Sequence, residues 1–162
     1  MNNPYGTHPA ALVYLLDAIG PQERGLVHQL SWEEDDALAA VSLRRFPTDR
    51  ATTGAIDWSG AVVLEQSLEA DYADAVRVLG ELVLRYSTSD VVVFWGNLII
   101  PTVRLPARLA AANAGELIDT GDDVWIYLPE RNVLVEYWHS GRITAGVIPD
   151  AAASAERSRR RE

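Results

Sequence analysis

The chain has 162 residues, 48% of them hydrophobic, and no cysteine. That is enough to bury an ordinary core in one domain, and it excludes a disulfide framework and thiol chemistry. With 14 basic against 23 acidic residues the net charge is −9, a field that repels nucleic acid and anionic lipid and favours encounters with basic partners.

No stretch approaches the roughly 18 consecutive apolar residues of a membrane helix, and residues 1 to 10 lack the regions of a signal peptide. A cytoplasmic location is the expectation. Every basic residue is arginine and alanine is abundant, a bias expected of a GC-rich bacterial genome. The last twelve residues hold four Arg and two Glu, so the body at 1–150 carries 10 basic and 21 acidic residues, a net −11.

In chain order, Pro9 followed by Leu12, Leu15, Leu16 and Ile19 predicts a helix over 9–19, stopped by Gly20-Pro21. Residues 31–46 open with Ser31 and Glu34 in capping-box spacing, carry acids in the first turn and end on Arg44-Arg45 before Pro47, which predicts a second helix. Its acidic run, Glu33, Glu34, Asp35 and Asp36, offers a docking site for a basic partner. Complementing the helix dipole explains the same run.

Residues 55–65 suit a strand or short hairpin, and Ser67 is the expected cap of a helix in which Tyr72, Val76, Leu79, Val83 and Tyr86 form one stripe. Asp90 to Gly96 is a continuous apolar run, the pattern of an inner strand. Pro101 excludes full pairing of 97–105, and Pro106 can open a helix using Leu109, Ala112 and Leu117.

Residues 122–148 then predict three antiparallel strands, with Pro129–Asn132 and Ser140-Gly141 as hairpin loops. If Leu128 lies opposite Val133 and His139 opposite Arg142, Val124, Ile126, Leu128, Val133, Val135, Tyr137, Thr144, Gly146 and Ile148 share one face. Trp125, Tyr127, Leu134, Glu136, Trp138, Ile143, Ala145 and Val147 share the other. Neither face is polar, so both need cover. The expected fold is α+β: a single domain over 1–150, with a mixed sheet ending in a three-stranded antiparallel meander and covered by about four helices. Residues 151–162 read as a disordered Arg-rich tail.

No catalytic constellation stands out. Asp119-Thr120-Gly121 has the letters of an aspartic-protease motif, but it follows an Ala-rich helix where that motif needs a strand. Glu136 and His139 lie three apart on a strand and point to opposite faces, so they cannot share a metal ion. No catalytic residues, metal ligands or cofactor are expected. The second sheet face, with Trp125, Tyr127 and Trp138 around Glu136, is the expected partner-facing patch, because large rings beside acids suit an Arg-rich or Lys-rich surface. Two other readings stay open: a small-ligand site or enzyme that uses Glu136 in an aromatic pocket, and an oligomer interface.

In the style of FWGNLIIPTVRLP (94–106) and DVWIYLPERNVLVEYWHSG (123–141), and in size, acidity and lack of cysteine, the chain resembles the small cytoplasmic immunity proteins of bacterial polymorphic and contact-dependent toxin systems. The resemblance implies an antagonist that binds one toxin domain tightly and covers its active site, with no catalysis of its own; the acidity of the chain suits a basic toxin domain. It implies no architecture and transfers no residue role.

Overall fold

The computed structural model describes residues 3–52, 54–68 and 70–152. The expected tail falls almost wholly on 153–162, outside the described residues. Within them the chain is α+β, with a seven-stranded sheet in the order β1-β4-β3-β5-β6-β7-β2. The strands are β1 His28–Gln29, β2 Val62–Ser67, β3 Asp90–Trp95, β4 Val103–Pro106, β5 Val124–Leu128, β6 Val133–Trp138 and β7 Arg142–Val147. Every pair is antiparallel. The sheet is therefore antiparallel throughout where a mixed one is expected. Hairpins and short returns join β3 to β4 and β5 to β6 to β7, and such connections enforce antiparallel pairing.

Five α-helices are described: α1 Val13–Ile19, α2 Trp32–Val41, α3 Tyr72–Tyr86, α4 Ala107–Ala112 and α5 Ala114–Thr120. The predicted first helix begins as a 3-10 turn, Pro9–Leu12, before α1. The second ends in another, Leu43–Arg45. The cap of α3 is Asp71, whose side chain accepts from the Asp74 amide, and Ser67 instead closes β2. Either residue type can cap. Pairing of β2 with β7 holds Ser67 in extended backbone opposite Ile143, and the helix starts only once that pairing stops.

Both sheet faces are covered, each by its own kind of layer. On one, Val91, Val93, Val124, Ile126, Leu128, Val133, Val135, Ile143 and Ala145 pack against Leu12 of the 3-10 turn before α1 and against Leu15, Leu79, Val83, Leu109 and Leu117 from α1, α3, α4 and α5. On the other, Val92, Phe94, Trp125, Leu134 and Trp138 pack against Leu30, Ala39, Phe46, Ala55, Ile56 and Trp58. This second cover is α2 with Leu30 just before it and the irregular chain after it. Residues 55–58, expected in a strand, cross this face instead, touching another segment through an isolated bridge between Thr48 and Ile56.

The β5–β6 register is the expected one, with Leu128 opposite Val133. The β6–β7 register is one residue off it, because Trp138 and not His139 lies opposite Arg142. The loop has three residues, closed by the Gly141 amide donating to the Trp138 carbonyl at 2.8 Å, with Gly141 at φ 87°. That matches the three-residue hairpin with a left-handed residue before the second strand. The slip exchanges the faces of β7: Arg142, Thr144 and Gly146 join Trp125 and Glu136, while Ile143 and Ala145 join the helix-covered face. Among the described residues no helix is long and apolar enough to cross a membrane.

Candidate functional site

The residues singled out on the second sheet face do meet, but below the surface. Glu136 is fully buried, Trp125 and Trp138 are 6% and 7% exposed, and Tyr127 is half-buried. The Glu136 carboxylate accepts four hydrogen bonds. Oε2 takes the Ile56 amide at 2.8 Å and the Trp125 indole at 3.0 Å, and Oε1 takes the Trp58 indole and the Arg142 guanidinium, both at 3.0 Å. Two acceptor sites per oxygen are then filled. Nothing is left on this carboxylate for a substrate proton or a partner's cation.

Glu136 therefore works as a clamp. It joins β5, β6 and β7 to the 55–58 segment, and the charge of Arg142 compensates it in a place where a lone carboxylate would be very costly. Of the expected partner-facing patch Trp125, Glu136 and Trp138 are interior and Tyr127 is half-buried, and the aromatic pocket expected around Glu136 is interior too. The cause is the 30–61 segment, whose Phe46, Ile56 and Trp58 supply the cover. Phe46 and Trp58 rings stand 4.8 Å apart.

His139 follows Glu136 by three residues, in the β6–β7 loop, and turns outward. Its Nδ1 sits 2.8 Å from Asp123 Oδ1, at an exposed position. Asp119 lies in α5 and accepts the Tyr72 hydroxyl at 2.9 Å, so the Asp-Thr-Gly letters belong to a helix end. Among the described residues no three His, Asp or Glu side chains converge as metal ligands.

The four acids of α2 divide by direction. Glu34 completes the capping box, its carboxylate accepting the Ser31 amide at 2.8 Å while its own amide donates to Ser31 Oγ at 3.2 Å. Asp36 pairs with Arg44 at 2.6 Å. Glu33 stands exposed beside Trp32, which is itself 43% exposed. Asp35 alone points inward and is 8% exposed.

Asp35 lines a cavity of about 270 Å³ between α2, the end of β3 and the 97–102 loop, with Tyr5, Trp32, Ala39, Leu43, Phe94, Leu98, Ile100 and Thr102 in its walls. Oδ1 of Asp35 accepts the Thr102 hydroxyl at 2.6 Å. The Thr102 amide donates to the Tyr5 hydroxyl at 3.0 Å, and that hydroxyl donates to the Leu30 carbonyl at 3.1 Å. The Tyr5 ring lies 5.7 Å from Trp32 at a tilt of 58°. Burial pushes the Asp35 carboxyl above its ordinary value; the Thr102 hydroxyl and the nearby Arg44 charge oppose this, and the charge of Asp36 adds to it. Burial likewise raises the Tyr5 hydroxyl.

This arrangement, a mostly apolar cavity with a few convergent polar groups and one perturbed carboxyl, is the usual form of a small-ligand site. Of its polar groups the sequence pattern singles out only Asp35, Asp36 and the helix-ending Arg44, the two acids merely as part of a run of four surface acids. A signal was present: Asp35 and Ala39 on the inward side of α2 and Ser42 at its C-cap recur at i, i+4 and i+7, and all three are buried. Tyr5 and Thr102 carry no such signal, because they reach the cavity from irregular chain. No protein-family model matches the sequence, and no curated protein matches it.

Proposed function

We propose that the protein is an acidic binding module for a basic protein partner, the immunity-type role that its resemblance implies, and that the first turn of α2 is the recognition surface. The observation that carries this reading is the company kept by Trp32. A large ring stands 43% exposed, between the exposed acids Glu33 and Glu34 and the half-buried Asp36. Exposed tryptophan is an uncommon residue on a free surface and a frequent anchor at interfaces. The net charge of −9 speeds approach of a basic surface. The buried face around Glu136 supports no competing interface, since its side chains are spent on the core.

The test is binding to the basic product of an adjacent gene, measured by surface plasmon resonance over a salt series. Association should slow and its salt dependence flatten in a Glu33→Gln, Glu34→Gln, Asp36→Asn variant, with dissociation nearly unchanged. Trp32→Ala should mainly speed dissociation. Absence of binding at low salt, or binding indifferent to both variants, overturns the proposal.

A further inference from the structure

The cavity beneath α2 is a second feature, and its chemistry does not depend on the partner reading. We propose that it binds a small organic cation, a primary ammonium group on an apolar body the size of a phenylethyl group, with Asp35 as the counter-ion. The walls supply the apolar part. Trp32, Phe94, Leu98 and Ile100 present rings and aliphatic surface, and aromatic faces attract cations as well as hydrocarbon.

Asp35 supplies the charge. It is 8% exposed, and only Oδ1 accepts a side-chain donor among the described residues, from Thr102. Oδ2 is left for a ligand. Thr102 is itself 3% exposed and tied through its amide to Tyr5, so the carboxylate is held in one orientation before any ligand arrives. Arg44, on the rim, donates to both the carboxylate and the backbone carbonyl of Asp36. It acts on Asp35 only through its charge and makes no hydrogen bond to it among the described residues.

The choice of ligand charge follows. An anion entering would meet two carboxylates. A neutral alcohol could donate one hydrogen bond to Oδ2 but would add no charge to compensate the buried carboxylate of Asp35. An ammonium group makes a charge-assisted bond to Oδ2 and neutralises a carboxylate that burial has made unfavourable, so both effects add.

The experiment compares 2-phenylethylamine, 2-phenylethanol and 3-phenylpropionate by calorimetry and by ¹H–¹⁵N shift mapping on the full chain at one neutral pH. The amine should bind about tenfold or more tighter than the alcohol, the ratio expected of a charge-assisted over a neutral hydrogen bond. Its shifts should centre on the Trp32 indole and the Thr102 amide. Asp35→Asn should bring the amine down to the affinity of the alcohol and leave the alcohol unchanged. Nα-acetyl-lysine methylamide separates the sources of the cation: tighter binding than phenylethylamine assigns the cavity to a lysine side chain of a protein, weaker binding to a free amine. Equal or tighter binding of the alcohol or the propionate, no binding of the amine, or shifts away from the cavity overturns the proposal. Should Asp35→Asn fail to fold, the three-ligand comparison on the native chain still decides it.

Discussion

Trp125 and Glu136 face each other across the β5–β6 pair, and the indole N–H of the first donates to the carboxylate of the second at 3.0 Å. The pair turns what looks like a surface hot spot into the centre of a core. An indole and a carboxylate at the same cross-strand position satisfy each other inside, and the Ile56 amide, the Trp58 indole and Arg142 complete the set.

Glu136→Gln should therefore destabilise the fold without touching any binding surface. The amide nitrogen cannot accept, so two of the four donors lose their partner and Arg142 loses its counter-charge. Breaking a buried ion pair from one side costs about 3–5 kcal/mol. Because an isosteric amide keeps half of the hydrogen bonds, the lower end of that range is expected in urea denaturation. A loss well below this would mean that water enters the site and replaces the missing acceptor.

Trp138→Ala tests the same face by volume. The ring is 7% exposed and stands 6.4 Å from Trp125, so truncation should cost about 3–5 kcal/mol, the usual loss for a buried tryptophan. Any weakening of partner binding should vanish once the folded fraction is taken into account. Trp32→Ala should show the reverse pattern, stability nearly kept and dissociation faster.

Asp35 makes stability depend on pH in a predictable direction. Burial holds its carboxyl above the ordinary value, so the folded chain binds this proton more tightly than the unfolded one. The resulting stabilisation is full below the unfolded-state value and is lost as pH rises through the raised folded-state value. The charged and titratable groups that face it are Arg44, Asp36, Tyr5 and, through Tyr5, Glu34. Asp35→Asn keeps an oxygen for Thr102 and removes the titration. Its urea midpoint should match the native chain in acid and exceed it at neutral pH, and a difference that does not change with pH would contradict this account.

Gly141→Ala should disturb the β6–β7 hairpin. Its φ of 87° is left-handed, and a Cβ there would lie 2.4 Å from the Ala70 carbonyl oxygen. The left-handed backbone alone costs an alanine about 1–2 kcal/mol, and the clash with a backbone atom adds to it. The midpoint of thermal unfolding checks this, and amide exchange should be fastest at 138–142.

How far the sequence reaches differs by feature. The capping box at Ser31 and Glu34 is legible because cap and helix lie within one turn and need no tertiary partner. The inner strand β3 and the three strands of the meander are legible for a similar reason, since runs of Val, Ile and aromatic residues bounded by turn residues suit few other conformations. The β6–β7 register is not. Two-residue and three-residue loops both fit His139-Ser140-Gly141, and one residue of slip decides whether Arg142 or Ile143 stands beside Glu136.

Local pattern by itself determined the main helices, the inner strand β3 and the three strands of the meander, that both faces of the sheet are apolar, and that the chain is an acidic α+β protein. These follow from interactions a few residues long. Only the tertiary structure decided what covers each face. The 55–58 segment reaches Glu136 across about 80 positions of sequence, and no periodicity encodes an approach over that distance. The same holds for the cavity, where Tyr5, Asp35 and Thr102 come from three separate stretches. The aromatic face and the acidic helix look alike in sequence, as rings and carboxylates close together. Folding buries the first because a donor stands ready for every acceptor site of Glu136, and it leaves Glu33 and Glu34 in water and Trp32 43% exposed beside Tyr5.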